Sequence, residues 1–322
     1  MLFRGFTTVR DAGGCDWGLA KAVDEGTLIG PRILFSGHAL SQTGGHGDMR
    51  ERGDEALVSC GCCHGTNVTL GRVCDGVPEV RKAARDELRK GASQIKIMAS
   101  GGVASPTDRL SNLQFSIEET KALVEEASNA GTYVCAHAYT AQAIRRALEC
   151  GVRSIEHGNL IDAETLDLLI AKDAFLVPTL VTYDRIRAEG VEAGMPAALV
   201  DKVADILERG VEALALADGK GAQICFGSDL LGTMHKHQSA EFAIRSRVQT
   251  PEAILRSATA TFAELTGLQG KVGCIAEGAY ADLVVVAKEK SPLDDITVLC
   301  NPESILMVVK DGRIELDRRR KQ

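Results

Sequence analysis

QIKIMAS (94–100), TYVCAHA (132–138) and RSIEHGN (153–159) are short apolar runs, and each carries a polar, chemically capable residue at or near its C-terminal end. Nearly continuous apolar runs of this length predict strands buried on both faces, as in a parallel sheet covered by helices. Working outward, the same signature recurs in GFTTVRD (5–11), RILFSGHAL (32–40), AFLVPTL (174–180) and AQICFGSD (222–229). Amphipathic stretches separate them: PEVRKAARDELRKG (78–91), SIEETKALVEEASNAG (116–131) and TAQAIRRALECG (140–151). Each ends in glycine, the usual left-handed residue after a helix C-terminus. Ser116 with Glu119 predicts a capping box. Strand and helix at short spacing predict right-handed βαβ units.

Two parallel architectures fit such units. A doubly wound sheet gathers its site at one crevice where strand order reverses. A (β/α)8 barrel spreads functional side chains over the C-terminal ends of many strands. Asp11, His38, Lys96, His137, His157 and Asp229 end or nearly end six different runs, so the expected fold class is α/β, a (β/α)8 TIM barrel with seven of its eight strands visible. After 251–267 the pattern changes. GCIAEGAYADLVVVAKEKSP and PESILMVVKDGRIEL read as short strands with Gly and Pro turns. The expected organisation is therefore an incomplete barrel domain over 1–267 and, over 268–322, the C-terminal strands of a small composite β-sandwich.

Composition excludes several classes. The 322 residues carry 37 Lys and Arg against 44 Asp and Glu, a formal net charge of −7. The basic residues gather only in the last few positions, RRRKQ, so nucleic acid is not an expected partner. No run approaches 18 apolar residues, so no membrane span is expected. The N-terminus, MLFRGFTTVRDAGG, lacks the apolar stretch of a signal peptide. Ten cysteines in 322 residues, several of them inside predicted strands and helices, read as reduced thiols and a cytoplasmic setting. Low aromatic content (4%) with 33 glycines suits a Val, Ile, Leu and Ala core of β/α repeats.

In a barrel, Lys96, His137, His157 and Asp229 would converge above the C-terminal rim. Two imidazoles and a carboxylate are ligands for zinc or a similar divalent ion. A buried lysine serves there only when neutralised, and carboxylation by CO2, giving a carbamate that bridges two cations, is one route. The alternative for any single histidine is a satisfied polar residue at a strand end. Two histidines on adjacent strands, with the Asp of GSD and an inward Lys, favour the metal reading.

At these residues a resemblance becomes specific. QIKIMASGG, VCAHAYT, SIEHGN and CFGSDL, in that order, resemble the amidohydrolase superfamily, in its branch of Xaa-Pro dipeptidase-like enzymes, imidazolonepropionase relatives and ochratoxin-type amidases. GFTTVRDAGG, SQTGGHGD and GCIAEGAYADLVVV are similar to the same branch, so the resemblance covers essentially the whole chain. It implies a metal-dependent hydrolase with a β-sandwich built from both chain ends. It also implies Lys96 as the carboxylated bridging ligand, His137 and His157 on the second metal, and Asp229 on the first metal and as proton shuttle. One departure stands out. The family carries a His-x-His pair at the end of its first barrel strand, whereas the only such spacing here is His235-Lys236-His237, after the last predicted strand. The expectation that follows is a chain starting at the second strand, as a fragment, a misassigned start or a reduced form with a damaged first metal site. Such a chain should show strongly reduced or absent hydrolysis.

Substrate residues are less sharply marked. Tyr139 and Arg145 pair a phenol with a guanidinium, which suits a substrate α-carboxylate; a surface helical Arg is the plain alternative. His46, on a Gly-rich loop, would line the pocket or polarise the scissile carbonyl. His235 and His237 could touch substrate near the rim. Cys60-Gly61-Cys62-Cys63-His64 is too compact for a paired-cysteine zinc site, and Gly101-Gly102 opens no phosphate loop. The expected activity is metal-dependent hydrolysis of a C–N bond in a dipeptide or N-acyl amino acid, on a small-molecule substrate, in a chain compatible with homo-oligomers. The rival readings are a non-catalytic remnant, and a hydrolase of the same fold acting on a cyclic amide or an ester.

Overall fold

Strands buried on both faces have no solvent edge along most of their length, and they pair in parallel with helices as crossovers. The computed structural model bears this out; it describes residues 1–50, 52–53, 70–103, 105, 107–192, 194, 197–287 and 291–319. The strands are β1 (Thr8–Asp11), β2 (Arg32–Phe35), β3 (Ala39–Ser41), β4 (Gly71–Val73), β5 (Ile95–Met98), β6 (Val134–Thr140), β7 (Ser154–Leu160), β8 (Phe175–Val177), β9 (Gln223–Ile224), β10 (Leu283–Val286), β11 (Ile305–Lys310) and β12 (Arg313–Asp317). The helices are α1 (Trp17–Asp24), α2 (Gly76–Arg89), α3 (Ile117–Asn129), α4 (Ala141–Glu149), α5 (Ala163–Ala171), α6 (Leu180–Glu189), α7 (Ala197–Gly219), α8 (Ala240–Arg245), α9 (Pro251–Ala258) and α10 (Ala260–Thr266).

The chain divides into two units: Arg10–Ala22 with Leu34–Glu156, and Met1–Val9 with Val23–Ile33 and His157–Gln322. In the first unit neighbouring strands follow the order β4-β3-β5-β6, and β7 carries on from there. Residues 154–156 of β7 close that unit, and 157–160 begin the run β7-β8-β9 of the other. Register in the first unit is parallel, with Lys96 beside Cys135 and Met98 beside His137. Paired residues of adjacent parallel strands face the same way, and side chains alternate along a strand. Lys96 and His137 therefore share one face, offset by two residues.

Local chemistry explains the helix ends. Ser116 Oγ accepts from the Glu119 N–H at 3.1 Å, and Glu119 Oε2 accepts from the Ser116 N–H at 2.7 Å, the expected capping box. Thr140, Asp162 and Thr250 cap α4, α5 and α9 through side-chain oxygens. Gly91, Gly131 and Gly151 follow their helices with φ of 95°, 73° and 96°, as the terminal glycines predicted.

The expected seven strands need one correction in membership. GFTTVRD contributes β1, which pairs with β2 in a two-stranded sheet. RILFSGHAL is not one strand but two, because Gly37, at φ 69°, turns the chain between β2 and β3. The place in the larger sheet is taken by β4, a three-residue strand that the apolar pattern did not mark. Single backbone bonds still carry the array onward: the Ser36 N–H reaches the Asp11 carbonyl at 3.1 Å and the Ser93 N–H reaches the Phe35 carbonyl at 2.8 Å.

In the other unit, β10, β11 and β12 form an antiparallel sheet, as the C-terminal pattern predicted. Leu2 is buried against Ile305 and Val308, with Leu316 beside them, so the first residues of the chain pack on this sheet. Arg32 Nη1 donates to Asp282 at 2.7 Å and its guanidinium stacks 4.3 Å from the Tyr280 ring.

An ion pair lies inside the first unit. Arg10 Nη2 and Glu156 Oε2 stand 2.7 Å apart, with side chains only 7% and 5% exposed, and Ser154 Oγ donates to Glu156 at 2.6 Å. Burial alone would raise the Glu156 carboxyl, but the charges of Arg10 and Lys96 outweigh it and hold the group below its ordinary value. Removing one partner leaves a buried charge uncompensated. Arg10→Met should therefore cost about 3–5 kcal/mol in urea unfolding, and adding Glu156→Leu should recover much of that loss. Strictly additive losses would contradict the pairing.

Candidate functional site

Strands, or the segments that follow them, place every predicted site residue except Arg145, which lies on helix α4. In the first unit, Lys96 on β5 and His137 on β6 are 5% and 3% exposed. His137 Nε2 lies 3.2 Å from the Gly101 carbonyl. A carbonyl only accepts, so Nε2 carries the proton and the ring's basic atom is Nδ1. Tyr139, one residue beyond the apolar run TYVCAHA, lies inside β6, buried, with its ring edge-on to His137 at 5.0 Å. Strand β6 simply runs further than the apolar run suggested. Arg145 is a half-buried residue of α4. The Cys60–His64 cluster lies outside the described residues.

His46 joins this group. Its ring stacks on His137 at 4.2 Å between centroids, and its Nδ1 meets Ser105 Oγ at 2.8 Å. Ser105 also bonds Asp108. A carboxylate only accepts, so Ser105 donates to Asp108 and accepts from the His46 Nδ1–H, which leaves Nε2 as the basic atom. The backbone is held too: Gln114 Oε1 accepts from the His46 N–H at 2.9 Å, and Gln114 Nε2 donates to Asp108 at 2.8 Å. Gly102 lets the ring approach closely: a Cβ at that position would stand 2.1 Å from His46 Cε1 and would displace the imidazole. Ser105, Asp108 and Gln114 were not singled out in the sequence. Their only signal was proximity to Gly101-Gly102, a polar loop following a predicted strand.

In the other unit, one residue within a strand and two residues that follow strands share an unusual backbone. His157 in β7, Thr179 after β8 and Asp229 after β9 have φ of 75°, 47° and 46°. Left-handed conformations cost a non-glycine residue about 1–2 kcal/mol and concentrate at functional sites; a β-branched Thr there is rarer still. His157 is buried, and its Nδ1 lies 2.7 Å from Thr179 Oγ1. Asp229 is exposed. His235 and His237 follow on a 3-10 turn, where His237 Nε2 pairs with Glu189 at 2.7 Å.

A cavity of 730 Å³ in the first unit, lined by Cys15, Trp17, His38, Glu87 and Lys90 among others, includes none of the proposed metal or substrate residues. The resemblance implies a divalent metal. In kind the donors suit one: His137 and His157 are buried imidazoles, each with one ring nitrogen engaged by a second partner, the arrangement that orients metal-binding histidines. In number they fall short. Among the described residues, no group of three or more His, Cys, Asp or Glu side chains lies together where it could hold a metal ion.

Burial, reinforced by the nearby Lys96 charge and only partly opposed by Asp108, pulls the His46 imidazole down to about 4. The folded protein then binds fewer protons than the unfolded chain between pH ~6.5, the free histidine value, and pH ~4. Stability should be full above pH ~6.5 and fall by up to about 3 kcal/mol as the pH drops to ~4. Urea titrations of chelator-treated protein should show that slope, and His46→Asn should lose it. An equal slope in both proteins would contradict the assignment.

Comparison with known proteins identifies the chain. The amidohydrolase family model matches residues 1–314. Ochratoxinase of Aspergillus niger is 35% identical over 319 residues, 97% of this chain, and the chain spans 66% of that relative's length. A prolidase crystallised with N-methylphosphonate-L-proline superposes with a TM-score of 0.94 at 53% identity, covering 98% of this chain and 77% of the other. A Xaa-Pro dipeptidase with bound methionine gives 0.83 at 33% identity, covering 98% and 76%. The α/β fold is thus of the TIM-barrel hydrolase type, and the chain belongs to the amidohydrolase family.

Proposed function

We propose that this chain is a metal-dependent hydrolase of a C–N bond in a dipeptide or N-acyl amino acid, working in the cytoplasm on a small-molecule substrate, with turnover strongly reduced because the family's first His-x-His pair has no counterpart ahead of Lys96. Its hydrolase domain would span 1–267, with 268–322 as appended sandwich strands. The reading is supported by the prolidase, Xaa-Pro dipeptidase and ochratoxinase relatives. The observation that carries it is His137, a buried imidazole whose tautomer is set by the Gly101 carbonyl and which shares a strand face with Lys96.

The proposed ligands are Lys96 as its CO2-derived carbamate, His137, His157 and Asp229, and the cation, zinc in the first instance, would supply a Lewis acid that lowers the pKa of bound water from 15.7 toward about 7. The protein's own contribution is proton transfer and orientation. Asp229 accepts the proton of the attacking water at its carboxylate and returns it to the departing amine nitrogen, general base and then general acid. Arg145, with the Tyr139 phenol, holds the substrate α-carboxylate by charge-assisted hydrogen bonds. Of the two roles the sequence left open for His46, its tautomer favours pocket lining: a basic Nε2 accepts a substrate N–H and has no proton to polarise a carbonyl.

The shortage of clustered ligands among the described residues favours one second reading, a non-catalytic member of the fold. A substrate panel separates them. Xaa-Pro dipeptides and N-acyl amino acids should be hydrolysed in preference to lactones and cyclic amides. Asp229→Asn should lower kcat by about 10²–10⁴-fold, the usual worth of a positioned acid–base group, with a far smaller effect on KM. A folded wild-type chain that turns over none of the panel supports the non-catalytic reading, and preference for lactones supports an ester hydrolase.

A further inference from the structure

Helix α6 begins without the cap its sequence offers. Thr179 is its N-cap residue, yet the threonine side chain makes no capping bond. An N-cap threonine ordinarily spends its oxygen on the N–H of the second or third helical residue. Here the backbone of Thr179 is left-handed instead of extended, and its Oγ1 sits 2.7 Å from His157 Nδ1.

The orphaned N–H is satisfied from a distant part of the sequence. Glu241, the second residue of α8, accepts from the Val181 N–H through Oε2 at 2.7 Å. Val181 is the second helical residue, where a cap normally acts. Glu241 is fully buried, and burial pushes its carboxyl up to about 7, against the lowering effect of Arg245 and the Val181 and Leu180 backbone. Its other oxygen, Oε1, is buried without a hydrogen-bond partner among the described residues. A buried carboxylate with an unsatisfied oxygen is costly. Stability alone would favour a plain Thr cap and an apolar residue at 241.

We infer that Glu241 is a positioning residue: by capping α6 in place of Thr179, it leaves the Thr179 oxygen to accept the Nδ1–H of His157 and so fixes Nε2 as the basic ring nitrogen. The chain of contacts is Glu241 Oε2 to Val181 N–H, Thr179 at the head of the same helix, and Thr179 Oγ1 to His157 Nδ1. Without the carboxylate, the helix N-terminus draws Thr179 Oγ1 back to its own N–H groups, and His157 loses the acceptor that selects its tautomer. The functional consequence rests on the proposed role of His157 as a ligand; the coupling itself does not.

The test reads ring nitrogens directly. Full-length chain with ring-15N histidine is examined by long-range proton–nitrogen correlation, with His157 and His137 assigned by substitution, alongside amide exchange. In Glu241→Ala the Val181 amide should exchange at least about tenfold faster, as expected for one lost capping bond. The His157 pattern should shift away from Nδ1–H, and the His137 pattern should stay. Thr179→Val should shift His157 in the same way while leaving Val181 protected. Glu241→Asp, which withdraws the carboxylate by one methylene, gives the same reading if the alanine variant does not fold. A His157 pattern unchanged by loss of the carboxylate overturns the inference, as does an equal change at His157 and His137. If the ring coupling is found but His157→Ala hydrolyses dipeptides normally, the inference stands and the proposed role of His157 falls.

Discussion

The interaction on which the candidate site depends is the 2.7 Å hydrogen bond between Thr179 and His157. It exists because His157 within β7 and Thr179 after β8 accept a left-handed backbone that neither residue favours. Strain of that kind persists only where surrounding structure over-determines it. Here the over-determination is visible: β7 and β8 are buried, and the helix that begins at Thr179 takes its cap from a buried glutamate sixty residues away.

The first unit solves a parallel problem by another route. Imidazoles at strand ends need partners for one ring nitrogen if the other is to do chemistry. The Gly101 carbonyl serves His137, and the Ser105 and Asp108 pair serves His46. Loop residues thus set the tautomers of His137 on β6 and of His46 on the loop after β3. A mere shift of protonation does not achieve this, because burial already keeps His46 neutral down to about 4. The buried Arg10–Glu156 pair is a further polar requirement met inside the first unit.

How much of this was legible in the sequence follows from the range of the forces involved. Apolar runs carrying Lys96, His137 and His157 marked strands because burial on two faces leaves a compositional trace. The Ser116–Glu119 box and the terminal glycines were legible because capping is local. Strand β4 left no trace, since three residues beginning with glycine carry no period. RILFSGHAL looked continuous because one Gly reads as a tolerated interruption, whereas its positive φ splits the run. Glu241 and Arg245 were passed over because a Glu and an Arg four apart on a helix look like a solvent-exposed pair, yet both are fully buried. Thr179 was hidden for a different reason: its partner is fixed by the adjacency of two strands, which periodicity does not encode.

Lys96, His137, His157 and Asp229 are proposed to bind a divalent cation in this amidohydrolase-family chain. Elemental analysis of the purified full-length protein tests it most directly, with His137→Ala and His157→Ala measured beside the wild type. At least one equivalent of zinc or a similar divalent metal is expected per wild-type chain, falling at least about tenfold in affinity in either variant. Metal absent from folded wild-type protein after incubation with zinc, or retained equally by all three proteins, would contradict it.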